Sequence, residues 1–135
     1  MTKPAQFEFK LDLASGVPVY RQIIDQVLLA VAAGTLAGGV QLPTVRQVAV
    51  DLAINPNTVL RAYRELELRG VISTQQGIGT FVTRNKVEVN QVEREARLGR
   101  LAAECAARAG SEGFSVPELI ARMGDLLPAK AQGGD

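Results

Sequence analysis

Hydrophobic positions recur along this chain with two different periods. Phe7, Phe9 and Leu11 alternate with Glu8, Lys10 and Asp12, a period of two that predicts a short half-buried strand or an extended arm. From residue 18 to 33 the spacing becomes helical, with Tyr20, Ile23, Ile24, Val27, Leu28 and Val31 on one stripe. Arg21, Gln22, Asp25 and Gln26 fall mostly off that stripe. Pro18 suits a first helical turn, where a missing N–H costs nothing, and Gly34 provides a stop. Residues 36–41 form a glycine-bearing loop.

A second, short helix is expected from Val45 to about Leu52, capped by Thr44, with Val45, Val48, Ala49 and Leu52 inward. Ala53-Ile54 is a tight connection. Asn55-Pro56 opens a third helix that runs to about Arg69 and is ended by Gly70. Residues 71–74 and 80–83 read as β, joined by a hairpin tip at Gln75-Gln76-Gly77-Ile78-Gly79. Residues 88–109 then return to a helical period. Leu98, Leu101, Ala102, Cys105 and Ala109 form one stripe, and Val89, Val92, Ala96, Ala103 and Ala107 a second of smaller side chains. Residues 110–113 should break this helix. Ser115 and Glu118 form a capping box for a last helix over residues 116–127, Phe114 can staple onto Leu119, and Leu119, Ile120, Met123, Leu126 and Leu127 are apolar.

The fold class this order predicts is mainly α with a small β-hairpin wing (α+β): a winged helix-turn-helix plus a C-terminal two-helix dimerisation tail. Residues 1–84 are the expected winged domain, 85–128 the tail and 129–135 a flexible end. Two helices beyond a complete winged domain have little of their own chain to cover them. Leu98, Leu101, Cys105, Leu119, Ile120 and Met123 are therefore assigned to pairing with a second copy rather than to a closed intramolecular core.

Composition narrows the chemistry. A length of 135 residues and 47 % hydrophobic content suit a packed domain with an appendage. The longest apolar run, residues 27–33, is far short of the roughly 20 residues a bilayer span needs, so no membrane partner is expected. The first six residues carry no signal-peptide pattern, and Cys105 is the single cysteine, which makes the cytoplasm the expected location. With no histidine and one cysteine, common zinc sites and His-based triads are excluded. No catalytic residue, metal or cofactor is expected. A small-molecule effector has no residue set that identifies it. Cys105 reads as a small buried residue.

The net charge of +1 conceals an asymmetry. Residues 40–86 hold Arg46, Arg61, Arg64, Arg69, Arg84 and Lys86 against Asp51, Glu65 and Glu67, a net of +3, whereas residues 87–135 sum to −2. The middle segment is the one suited to a polyanion.

On the third helix Val59, Ala62, Tyr63 and Leu66 share the inner face, and Asn57, Thr58, Arg61, Arg64 and Glu65 the outer. The outer set holds the donors and acceptors that read base edges and phosphates of duplex DNA. Free N–H groups at Asn57 and Thr58 add partial positive charge. Arg46, in the first turn of the preceding helix, reaches the backbone or a guanine edge, and Thr44 caps while touching phosphate. At the wing, Gly77 and Gly79 permit close approach to a sugar-phosphate strand, where Gln75, Gln76 and Thr80 are in reach. Arg69 and Arg84 read as surface or helix-end charges, and Asn55 as an N-cap. An apolar or acidic outer face would instead mark a protein-interaction module, and a paired carboxylate cluster an enzyme. The sequence has neither.

The stretches Leu42-Pro-Thr-Val-Arg-Gln-Val-Ala, Asn55-Pro-Asn-Thr-Val-Leu-Arg-Ala-Tyr-Arg-Glu-Leu-Glu, Arg69-Gly-Val-Ile and Gly77-Ile-Gly-Thr-Phe-Val resemble the GntR family of bacterial repressors. Ser15-Gly-Val-Pro-Val-Tyr-Arg-Gln-Ile is similar to that family's first helix, so the resemblance covers about residues 8–84. The short segment after the wing resembles the YtrA subfamily. The resemblance implies a homodimeric regulator of a pseudo-palindromic operator, often of a transporter operon. It also implies DNA contacts at Arg46, Asn57, Thr58 and Arg61, with Gly77 at the wing. Two features depart from the pattern: Gln75 and Gln76 are neutral where the family's wing is often basic, and Leu60 stands at the rim of the outer face.

Overall fold

The computed structural model describes residues 7–84 and 90–128. The chain divides into two compact units, Met1–Asn85 and Lys86–Asp135.

The first unit is built on three helices. α1 (Val19–Ala33) buries Ile23, Ile24, Val27 and Ala30, and ends where Gly34 turns left-handed at φ 85°. Pro18 is the N-cap, one position earlier than the first turn. α2 (Val45–Leu52) buries Val48 and Ala49, and its cap is Thr44, whose hydroxyl accepts the Gln47 N–H. α3 (Pro56–Leu68) packs on both α1 and α2. Its buried side chains are Val59, Ala62, Tyr63 and Leu66, the four that the helical period places inward. Tyr63 donates a hydrogen bond from its hydroxyl to the Pro43 carbonyl at 2.7 Å, and burial pushes its phenol pKa upward.

The wing is an antiparallel pair, β1 (Ile72–Gln75) and β2 (Gly79–Val82), in register Ile72↔Val82 and Gln75↔Gly79. Ile72 and Val82 turn into the core. The loop expected over residues 36–41 does more than connect. Gly39 N–H donates to Val82 O, Val82 N–H to Val40 O and Leu42 N–H to Thr80 O, each at 2.8 Å, so residues 39–42 lie along the free side of β2. Nothing in the local residue pattern announces this pairing.

The period of two at Phe7, Phe9 and Leu11 forms an extended arm, not a strand. Its partners are side chains. Lys10 N–H donates to Gln26 Oε1 (3.0 Å) and Gln26 Nε2 donates to Lys10 O (2.6 Å). Asp12 N–H donates to Gln22 Oε1 (2.8 Å) and Gln22 Nε2 to Asp12 O (3.0 Å). Two amides one helical turn apart thus stand in for a neighbouring strand. Gln22 also reaches Ser15 Oγ and Val17 O, which explains why this polar residue is buried although helical spacing put it off the apolar stripe. Phe9 is buried and meets Phe7 edge-to-face, with ring centres 4.8 Å apart.

The second unit is two packed helices, α4 (Gln91–Ser111) and α5 (Val116–Gly124). Asn90 caps α4 through Glu93 N–H. Glu88 and Val89, expected at the head of this helix, lie outside the described residues. The break expected from residue 110 comes later: Gly110 is helical, and Gly113 at φ 89° makes the turn. A glycine stops a helix when its backbone turns left-handed, and only Gly113 does so here. Ser115 and Glu118 form the full reciprocal capping box. α5 ends at Gly124, earlier than the apolar pattern suggested, and residues 125–127 continue as turns. Among the described residues of this unit only Ala109 is buried.

Candidate nucleic-acid interface

The connection between α2 and α3 is closed by Ala53, the one non-glycine residue of the described chain with positive φ (57°). Its N–H donates to Val50 O and Ile54 N–H to Ala49 O. Two helices joined this tightly diverge at once, which leaves the start of α3 projecting. Asn55 caps α3 by accepting the Asn57 N–H at 2.8 Å, and Thr58 N–H donates to Asn55 O at 3.0 Å. The expectation of free amides at Asn57 and Thr58 is therefore corrected: Asn55 occupies both, one with its side chain and one with its carbonyl. The positive end of the α3 dipole remains.

Asn57, Arg61 and Arg64 are exposed on the outer face, while Thr58, Leu60 and Glu65 are half-buried along its edges. Arg46 is exposed in the first turn of α2. Thr44 is exposed beside it, with its oxygen accepting from Gln47 and its hydroxyl proton left for a further partner. Ion pairing separates the arginines. Arg69 is matched with Glu65 at 3.1 Å, and Arg21 lies 3.8 Å from Asp25. Among the described residues Arg46 and Arg64 have no carboxylate partner. Arg61 is neither paired nor simply solvated, because its Cζ sits 3.8 Å above the centre of the Tyr20 ring. Sequence reasoning assigned Tyr20 to the apolar stripe of α1 and missed this contact. The only hint was that an aromatic residue stood near the helix start.

At the wing tip Gln76, Gly77 and Ile78 are exposed. Ile78 N–H donates to Gln75 O at 2.9 Å, and Gly77 takes φ 79° at the third turn position, which demands glycine. The Gln41 side chain packs where a Cβ on Gly79 would stand. Gln41 also donates to Ile78 O, bracing the tip from below.

In the second unit Leu98 and Leu101 on α4 and Ile120 and Met123 on α5 are exposed, Leu101 by 57 % and Ile120 by 65 %. Cys105 and Leu119 are half-buried and line a cleft between α4 and α5 with Ala109 and Phe114. The cleft's arginines are matched, Arg108 with Glu112 at 3.1 Å and Arg122 with Asp125 at 3.6 Å. No group of metal-binding side chains occurs among the described residues, and no helix there is long and apolar enough to cross a membrane.

Comparison with known proteins gives this geometry a family. Residues 19–82 match the model of the bacterial regulatory proteins of the gntR family. A GntR family transcriptional regulator from Listeria monocytogenes is 30 % identical at a TM-score of 0.58, and the likeness covers 85 % of this chain and 98 % of that one. The chain belongs to the GntR family of bacterial regulatory proteins. It carries the GntR winged helix-turn-helix DNA-binding domain and is kin to regulators, not to enzymes. It is also similar to YtrA from Sulfolobus acidocaldarius, a GntR-family transcription factor, at 30 % identity and a TM-score of 0.54, over 87 % of this chain and 95 % of that one. The first unit is 85 of the 135 residues, so likeness over 87 % of the chain extends into the C-terminal helices. The HTH-type transcriptional repressor YtrA of Bacillus subtilis is 42 % identical over 76 residues, 56 % of this chain and 58 % of that protein. The match thus spans under two thirds of this relative's length.

Proposed function

We propose that this chain is a cytoplasmic, homodimeric repressor that binds a pseudo-palindromic duplex operator, and that its target is a transporter operon. The observation that carries this reading is the division of α3. Its inner side is fully buried against α1 and α2, while Asn57, Arg61 and Arg64 stand exposed, with Arg46 on the adjoining helix and no carboxylate to neutralise Arg46 or Arg64. Donors of this kind meet phosphates and base edges in the major groove, with the N-terminal part of the second helix entering first.

In this reading Arg46, Asn57 and Thr58 read bases or the adjacent phosphates, and Thr44 and Arg64 hold the backbone. Gln76 and Gly77 bring the wing to a flanking strand. The exposed apolar rows of α4 and α5 pair with those of a second copy, which sets two α3 helices about one helical turn of DNA apart. The repressor sign is supported by what the Bacillus YtrA protein is called.

The test is titration of a duplex, selected from a random pool by the full chain, with the protein. Two chains per duplex are expected, with affinity falling steeply as salt rises. Arg46→Ala should weaken binding by about 1–3 kcal/mol without unfolding the chain. A monomeric complex, or binding indifferent to salt, contradicts the proposal.

A further inference from the structure

We propose that Tyr20 is a positioning residue of the DNA interface, and that Arg61, seated on its ring, grips a backbone phosphate rather than a base edge. The inference rests on the reading that α3 faces duplex DNA.

Arg61 belongs to the outer face of α3, yet its side chain does not stand straight out. It leaves the crest and lies against α1, with the guanidinium carbon 3.8 Å from the Tyr20 ring centre. Tyr20 is in the first turn of α1, itself packed on α3, and its ring is half-buried. The ring is therefore held by the fold, and the arginine is held by the ring. Stacking occupies one face of the guanidinium and leaves its N–H groups at the rim. Among the described residues none of them meets a carboxylate or carbonyl. A planar fork with a covered face and open edge is the shape that binds a phosphate oxygen pair.

Position selects the phosphate over the base. The crest of a recognition helix meets the groove floor, and its flanks meet the walls, where the phosphates lie. An arginine drawn toward α1 is on a flank. A stacked arginine also has fewer rotamers to lose on binding than a free one, so the ring contributes to affinity without touching DNA. Arg46 and Arg64 have no ring beneath them among the described residues.

The experiment measures affinity by fluorescence anisotropy across a salt series, using the full chain. The probes are a duplex selected from a random pool and a scrambled duplex of the same composition. Arg61→Ala should weaken both duplexes by the same factor and lower the slope of log affinity against log salt by about 1 per half-site. Tyr20→Leu should weaken binding about two- to fivefold per half-site, the scale of an exposed cation–π contact. It should do nothing further in the Arg61→Ala background. Tyr20→Phe, which keeps the ring, should recover wild-type affinity. Independently of any variant, the Arg61 Nε–Hε proton should resonate upfield of an unstacked arginine. Its appearance at the unstacked position overturns the proposal, as does a Tyr20→Leu effect that is absent or that survives removal of Arg61. An Arg61→Ala loss confined to the selected duplex shows base reading and also overturns it. If Arg46→Ala weakens binding and Tyr20→Leu does not, only this inference falls. If the wild-type chain binds no duplex, the reading of α3 falls and this inference with it.

Discussion

Ala53 shows what a tight helix-turn-helix asks of one residue. Its left-handed backbone costs an L-residue about 1–2 kcal/mol, and glycine adopts it without that cost. Its side chain is exposed, so no packing is lost by removing it. Against this, glycine loosens the unfolded chain by about 0.4–1 kcal/mol. Ala53→Gly should therefore raise stability by between nothing and about 1.6 kcal/mol in urea unfolding, and a destabilised variant would show that the turn is not strained. Tyr63 behaves oppositely. Its hydroxyl is the partner of the buried Pro43 carbonyl, so Tyr63→Phe should cost about 1–3 kcal/mol in the same assay, and a neutral result would mean water replaces it. Burial also raises this phenol's pKa. Its contribution to stability is complete below the ordinary phenol range and is lost as pH rises through the higher folded value. The core role of Tyr63 was legible because helical spacing alone puts it beside Val59, Ala62 and Leu66. The stack of Arg61 on Tyr20 was not, since it joins distant parts of the chain through packing that no local pattern encodes.

Caps and turns carry the elements. Thr44, Asn55 and Ser115 could be read directly, because a cap uses a side chain within three residues of the backbone it satisfies. Pairing of residues 39–42 with β2 and the glutamine clamp on the arm could not, because each requires knowing which segments meet. The end of α4 failed for a related reason: two glycines were available as stops, and only their backbone geometry distinguishes them. Glu118 offers a measurable case of local capping. The Ser115 backbone N–H donates to its carboxylate at 3.0 Å and the Ser115 hydroxyl at 2.9 Å, which holds the carboxyl pKa below the ordinary glutamate range. With the folded value depressed, the cap's stabilisation is complete above the ordinary range and is lost as pH falls through the folded value. The group is fully exposed, so the effect on global stability is small. Carbon-13 titration should place Glu118 below the ordinary glutamate range, and Ser115→Ala, which removes the hydroxyl but keeps the backbone N–H, should raise it only part of the way back. An ordinary midpoint in the wild type would show that the box is not populated.

At the scale of the whole molecule, charge is divided unevenly along the chain. The middle of the chain is basic and the C-terminal part acidic, and the unneutralised Arg46 and Arg64 belong to the first unit. Exposed aliphatic side chains occur in both units, singly in the first at Leu13, Val50, Leu68 and Ile78, and along both helices of the second. A net charge of +1 averages this away, which is why composition alone said little and the order of elements said more. The proposed function gives DNA contact to the first unit and self-association to the second, and it predicts where a bound duplex is felt. Titration of the isotope-labelled full chain with its selected duplex, followed by amide NMR, tests that most directly. Shifts are expected to concentrate at Thr44 to Gln47, Asn55 to Arg61 and the wing tip around Gly77. Shifts confined to α4 and α5, with the start of α3 unmoved at saturation, would contradict the proposed function.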